Sequence, residues 1–134
     1  MVKLVSLIDA DESSTANITS NRNMTLDIGV AAPVVHAKGQ VNLKAGNNMT
    51  LSTTGADGRD LKIANLYADG DKAVITAEAT EGTLTISNNG AAGIYADNGG
   101  KITLEERWSW IRVMERSYRW RSDFLYRPIS DAYE

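Results

Sequence analysis

One short phrase, Asn-Met-Thr-Leu, occurs twice in this chain, at residues 23–26 and 48–51. Each copy belongs to a polar turn followed by a run that alternates apolar and polar side chains. The pattern returns at residues 82–86, where Gly82 precedes Thr-Leu-Thr-Ile. A period of two is typical of a strand with one face buried. A chain that repeats one turn and one strand is predicted to be a stack of similar units.

A second motif alternates with the first. It consists of an apolar residue, any residue, Ala, a turn rich in polar residues or Gly, and another strand. Its copies span residues 35–43, 66–74 and 94–104. The first motif recurs after 25 and then 35 residues, and the second after 31 and then 28. Loops of variable length between strands of fixed length account for these unequal steps.

The spacing of the motifs favours an all-β parallel β-solenoid. One coil of short strands cannot bury its own inward face, whereas stacked coils can. About four coils fit before residue 106, and strands about 4.8 Å apart would make a rod roughly 20 Å tall. A β-sandwich also uses many short strands and remains an alternative. Leucine-rich repeats have a similar period, but their spacing does not fit residues 61–66.

Composition divides the chain into two regions, residues 1–106 and 107–134. All eleven glycines precede residue 107, whereas all three tryptophans and the only Phe follow it. The first region has a net charge of −5, and the second, with six Arg and no Lys, has a net charge of +2. We therefore expect a β-solenoid repeat domain followed by an Arg/Trp-rich tail.

The tail has the pattern of an amphipathic helix from about residue 105 to 126. No Gly or Pro interrupts the segment, and its apolar residues fall within about half of a helical wheel. The pattern is imperfect, because Trp108 falls on the polar side of the wheel and Arg121 on the apolar side. Such a helix would cover the open edge of the last coil. Alternatively, it would dock a protein partner or a membrane, or the segment is foreign to the repeat.

Two stretches resemble known repeat proteins. Residues 45–51, AGNNMTL, resemble the A-G-x-x-L-x-L repeats of filamentous-haemagglutinin-type exoproteins, and residues 93–104 look like the passenger regions of bacterial autotransporter adhesins. The resemblance covers roughly residues 17–105. It implies a right-handed parallel β-helix on the surface of a Gram-negative cell. The signal and the translocator of those families are not present in this chain, which would then be a piece of a longer adhesin.

The sequence predicts no catalytic, cofactor-binding or metal-binding residue. His36, the only histidine, occupies the repeat position of Tyr67 and Tyr95, which indicates a structural role. No G-x-S-x-G, H-E-x-x-H or phosphate-loop motif occurs, and the absence of cysteine excludes thiolate sites. Oxygen ligands for calcium could come from residues 9–12, 69–71 and 97–100, but their spacing matches no known calcium loop.

The three Asn-x-Thr sequons are interpreted as turn chemistry of the repeat rather than as glycosylation sites. They begin at Asn17, Asn23 and Asn48, and the last two are the N-M-T of the repeated phrase.

These observations predict a non-enzymatic piece of a surface or secreted adhesin that acts as a stalk or a contact surface. Its partners would be a host or cell-surface ligand and, through the solenoid ends, other copies of itself. A mild net charge of −3 does not indicate nucleic acid. One alternative is an interaction module that docks through its cationic tail. Another is a β-helical polysaccharide lyase or hydrolase, whose candidate acids would be Asp60, Asp69, Glu78 and Glu81.

Overall fold

The chain folds as a parallel β-solenoid. The computed structural model describes residues 6–53, 64–88, 93–106, 112–113 and 124–128, and it contains strands but no helix in these ranges. The strands are β1 (Ile8–Ala10), β2 (Thr15–Ser20), β3 (Met24–Ile28), β4 (Val35–Ala37), β5 (Gln40–Ala45), β6 (Met49–Thr53), β7 (Leu66–Asp69), β8 (Val74–Ala79), β9 (Leu84–Asn88), β10 (Ile94–Asp97), β11 (Lys101–Glu106), β12 (Arg112–Val113) and β13 (Phe124–Pro128).

The strands form three parallel sheets. The chain visits the sheets in turn from β1 to β12, and β13 then lies in the second sheet. The first sheet has the order β1-β4-β7-β10, the second β2-β5-β8-β11-β13, and the third β3-β6-β9-β12. We call β1–β3 the first coil, β4–β6 the second, β7–β9 the third and β10–β12 the fourth. From β1 to β10 the chain completes about three turns. The fourth coil is incomplete, since β12 contributes only two residues to the third sheet, so the structure has about three full coils and not the four expected.

The two repeated motifs stack on their own copies. In the third sheet Met24 pairs with Met49, which pairs with Leu84, and Leu26, Leu51 and Ile86 follow the same register. In the first sheet Val35, Leu66 and Ile94 are neighbours on adjacent strands. The unequal sequence steps of 25, 35, 31 and 28 residues therefore separate equivalent positions of adjacent strands. The predicted repeat is confirmed.

The core lies between the three sheets and is filled by alternate residues of each strand. The largest side chains that are fully buried come from the second, third and fourth coils: Val34, Leu43, Met49, Leu51, Leu66, Ile75, Leu84, Ile86, Ile94, Ile102 and Leu104. Burial of one such side chain contributes about 1.5–3 kcal/mol. No single coil could enclose these side chains alone, so stability depends on stacking.

A buried amide closes the corner between the third and first sheets. Asn65 is 0% exposed, and its Nδ2 donates to the carbonyl oxygens of Leu51 at 3.1 Å and Ser87 at 2.8 Å. The backbone carbonyl of Asn65 accepts a hydrogen bond from Val35 at 2.9 Å. One side chain thus joins strands β6 and β9 at the point where the chain enters β7.

The tail differs from the expected helix wherever the structure describes it. Residues 105–106 end β11, residues 112–113 form β12, and residues 124–126 lie in β13. The rest of the expected helix, residues 107–111 and 114–123, lies outside the described residues. β13 pairs with β11, from Ile102 opposite Phe124 to Glu106 opposite Pro128. The edge of β11 offers a row of backbone hydrogen-bonding groups, and the aromatic and β-branched residues of the tail also suit strands.

Candidate functional site: an aromatic and acidic column

A column of polar and aromatic side chains runs along the outer face of the first sheet. Asp9, His36, Tyr67 and Tyr95 occupy the same position on β1, β4, β7 and β10. The shared repeat position of the histidine and the two tyrosines, predicted from the motifs, is confirmed. Asp9 was not predicted to belong to this column, although Ile8-Asp9-Ala10 is a fourth copy of the apolar-x-Ala motif.

The three rings of the column stack on one another. The His36 and Tyr67 ring centroids are 5.0 Å apart and the planes are inclined by 14°, while Tyr67 and Tyr95 are 5.3 Å apart and inclined by 23°. Tyr67 and Tyr95 are only 5% and 6% exposed and form a small apolar cluster with Ala64. Tyr67 therefore packs between His36 and Tyr95, and little of either tyrosine ring contacts solvent.

Carboxylates flank the rings on both sides of His36. Nδ1 of His36 lies 3.8 Å from Oδ2 of Asp9, and Nε2 lies 3.7 Å from Oδ2 of Asp69. Both distances exceed those of ordinary hydrogen bonds, and Nε2 is buried without a hydrogen-bond partner. The imidazole, which belongs to the second coil, therefore lies close to one carboxylate of the first coil and one of the third, without a direct hydrogen bond to either.

The column ends in a hydrogen-bonded turn. The hydroxyl of Tyr95 donates to Asp97 at 3.0 Å, and the side-chain amide of Asn98 donates to Asp69 at 3.1 Å. Asn98 has a φ of 54°, in the left-handed region that Asn tolerates better than most residues. The carboxylates of Asp69 and Asp97, which are partners across β7 and β10, are thereby held by neighbouring groups of the same chain.

Burial keeps the phenol of Tyr67 protonated. Burial, followed by the charges of Asp69 and Asp97, raises the pKa of Tyr67 to about 12. The hydroxyl therefore stays neutral well into the alkaline range. The rings of the column supply packing, and Tyr95 and Asn98 supply hydrogen bonds beside it.

The three acids considered for catalysis that the structure describes do not converge. Asp69 is in the first sheet, Glu78 is in β8 of the second sheet beside Lys44 and Glu105, and Glu81 is exposed in a turn. Asp60 lies outside the described residues. Within the described part of the chain, no group of three or more His, Asp or Glu side chains is arranged to hold a metal ion.

The sequon asparagines take part in ladders between coils. Asn42 donates through Nδ2 to Oδ1 of Asn17 at 2.8 Å. Oδ1 of Asn23 accepts from the backbone N–H of Asn48 at 3.2 Å, and Oδ1 of Asn48 accepts from the N–H of Thr83 at 2.9 Å. Each asparagine side chain therefore links a strand or turn to the coil that follows.

Comparison with known proteins gives no match to a family model, to a curated protein or to a solved structure. In the ranges that the model describes, no helix is long and apolar enough to cross a membrane. The fold therefore places the chain in one structural class, the parallel β-solenoids with repeated coils.

Proposed function

We propose that this chain is a non-enzymatic piece of a bacterial adhesin, cell-surface or secreted, that acts as a stalk or a contact surface. The observation that carries the proposal is the way outer-face polar groups pair between coils: Asn17 with Asn42, Asn23 with Asn48, and Asp27 with Ser52, whose hydroxyl donates at 2.7 Å. Polar groups that link each coil to the next suit a rod that transmits force as a stalk or offers its side to a ligand as a contact surface.

The repeat supports placing the rod outside a Gram-negative cell, through its resemblance to autotransporter and filamentous-haemagglutinin passengers. The same resemblance leads us to propose that the coil is right-handed, which is also the hand of most crossovers between parallel strands. The partner would then be a host or cell-surface ligand. A signal and a translocator would be encoded with the chain.

Adhesion can be tested directly with the purified chain. Beads coated with it should bind host epithelial cells or whole bacteria in a saturable manner, and soluble chain should compete. Beads coated with the chain after heat unfolding serve as the control, since they carry the same charge and composition. Equal binding by both preparations would reject a folded contact surface, and a gene lacking any signal or translocator sequence would reject the location.

The cationic tail supports a second candidate, docking to a protein or an anionic membrane. Residues 107–134 carry six Arg, no Lys and three Trp, a composition that favours membrane interfaces. The intact chain should float with anionic liposomes, whereas a chain ending at residue 106 should not. Equal flotation of the two would remove the tail from this role.

The enzymatic alternative is testable in the same preparations. Turnover of plant or microbial polysaccharides that disappears in Asp69→Ala, and is retained in Glu12→Ala, which removes an exposed acid that is not a candidate, would replace the adhesin proposal with a lyase or hydrolase.

A further inference from the structure

The first coil presents an apolar end that the inner coils do not have. Four of its inward side chains are only partly buried, whereas their partners on the second coil are at most 1% exposed: Ile8, Ala16, Ile18 and Leu26 against Val35, Val41, Leu43 and Leu51. The other inward side chains of this coil, Ala10, Met24 and Ile28, are buried at 3–8% exposure. The two large apolar residues described as exposed, Leu7 at 49% and Val30 at 42%, flank the same coil. Among the residues whose burial the structure describes, apolar exposure is therefore concentrated in and beside the first coil.

The backbone of the first coil also presents hydrogen-bonding groups at this end. The N–H of Gln40 donates to the carbonyl of Ser14 at 3.0 Å, and the N–H of Gly46 donates to that of Ser20 at 2.8 Å. Even-numbered residues of β2 therefore face β5. Because the peptide groups of successive residues in a strand point to opposite sides, those of Thr15, Asn17 and Thr19 point towards the open edge.

In the other two strands of the first coil, the even-numbered residues likewise direct their peptide groups towards the second coil. The N–H of Met24 donates to Asn48 at 2.9 Å and that of Ile8 donates to Val34 at 2.9 Å. Thr25 and Asp27 of β3 and Asp9 of β1 consequently direct their peptide groups outwards. All three sheets end in strands that can accept another strand.

The two ends of the solenoid differ in shape. Among the described strands, the three sheets end together at the first coil, in β1, β2 and β3, whereas at the other end β13 extends the second sheet beyond β10 and β12. A stepped end does not match an even end. An even end can be matched by the same end of a second copy around a two-fold axis, which gives a closed dimer.

We propose that the first coil is a dimerisation surface, on which the first coil of a second copy docks head to head. It continues the interface that already exists between coils, with apolar residues stacked inside and backbone hydrogen bonds at the edges. The strands of the two copies run antiparallel, so β2 pairs with β2 of the partner copy, and β1 pairs with β3. The proposal does not depend on the adhesin role.

A two-fold axis through Asn17 gives compatible contacts on both the inward and the outward face of β2. Asn17 lies opposite Asn17 of the partner copy and exchanges two backbone hydrogen bonds with it, as in a hydrogen-bonded antiparallel pair. Ala16 then meets Ile18 on the inward side, and Thr15 meets Thr19 on the outward side. This register keeps apolar residues against apolar residues, whereas a shift by one residue would place Asn17 against Ile18.

Charge makes the association sensitive to salt. Residues 6–30 carry Asp9, Asp11, Glu12 and Asp27 against a single cation, Arg22. Two such coils repel each other, and added salt screens the repulsion. We expect the dimer fraction in sedimentation equilibrium to rise with salt concentration as well as with protein concentration.

The absence of cysteine from the natural chain allows a crosslinking test. Opposite residues of a hydrogen-bonded antiparallel pair have Cα atoms about 5.5 Å apart, within the range of a disulfide. Asn17→Cys should therefore give a disulfide dimer under mild oxidation. The control is Thr76→Cys, which occupies the same outer position of the second sheet two coils away. Asn17→Cys should react at least about tenfold faster, because the dimer holds the two thiols at a high effective concentration.

A second pair of variants tests the apolar contact. Ile18→Lys places a charge in the proposed interface and should shift the chain to monomer, whereas Thr76→Lys adds the same charge outside it and should leave the dimer intact. Circular dichroism of both variants establishes that they remain folded. The proposal is overturned if the natural chain is monomeric at high protein and salt concentration, if it forms open polymers, or if the two cysteine variants oxidise at the same rate.

Discussion

The imidazole of His36 stacks on the ring of Tyr67 with centroids 5.0 Å apart, although 31 positions separate the two residues in the sequence. The contact exists because β4 and β7 pair in parallel with these residues as partners. It places the only histidine of the chain inside a structural ladder.

Truncation of Tyr67 should cost far more than removal of its hydroxyl. Tyr67→Ala removes a ring that contacts His36 and Tyr95 on its two faces, and loss of a buried aromatic ring typically costs about 3–5 kcal/mol. Tyr67→Phe keeps the ring and removes only the hydroxyl, which lies near the carboxylates of Asp69 and Asp97, so it should cost no more than about 1 kcal/mol. Urea unfolding followed by circular dichroism measures both. Similar losses in the two variants would show that ring stacking contributes little.

Stability should decline in alkali because of the same residue. The folded pKa of Tyr67 is about 12 against an ordinary value of 10.0, so the native state retains a proton that the unfolded state has lost. The contribution of Tyr67 is fully present below pH 10 and is lost as the pH rises towards about 12. Tyr67→Phe should show a weaker decline over this interval. An identical decline in both proteins would contradict the assignment.

The corner amide should be one of the most sensitive polar positions. Asn65→Ala leaves the carbonyls of Leu51 and Ser87 without their donor in a buried site, and each unsatisfied buried group costs about 1–3 kcal/mol. Asn42→Ala is the matched control, since it removes an exposed amide bond to Asn17. We expect a clearly lower midpoint of thermal unfolding for Asn65→Ala alone. Equal midpoints would mean that water replaces the amide at the corner.

The stacking of the repeats could be predicted from sequence because it depends on a local pattern. The copies of Asn-Met-Thr-Leu reveal which residues of β3 and β6 are partners, and the alternation reveals which face is buried. The acidic part of the column could not be predicted so directly. Asp9, Asp69 and Asn98 meet His36 or one another only after loops of different length bring distant strands together.

The tail shows a limit of periodicity. Its charged and apolar residues fit a helical wheel, yet Arg112–Val113 and Phe124–Pro128 are strands. A helical wheel reports only how side chains of one segment are distributed. It contains no information about neighbouring strands. β11 pairs with β8 on one side, and its other edge pairs with β13. The expected helix is therefore contradicted at residues 112–113 and 124–126 and stays a prediction for residues 107–111 and 114–123, which lie outside the described residues.

A pair of leucines in the same register tests both the core and the proposed dimer. Leu51 is 0% exposed in the second coil, whereas its partner Leu26 in the first coil is only partly buried. In a dilute monomer, Leu51→Ala should cost about 2–5 kcal/mol, and Leu26→Ala should cost less because its side chain is already partly in water. At high protein and salt concentration the difference should shrink, because the partner copy covers Leu26. Urea unfolding of both variants at two protein concentrations measures the effect. A difference that does not change with concentration would leave the first coil as an uncovered end.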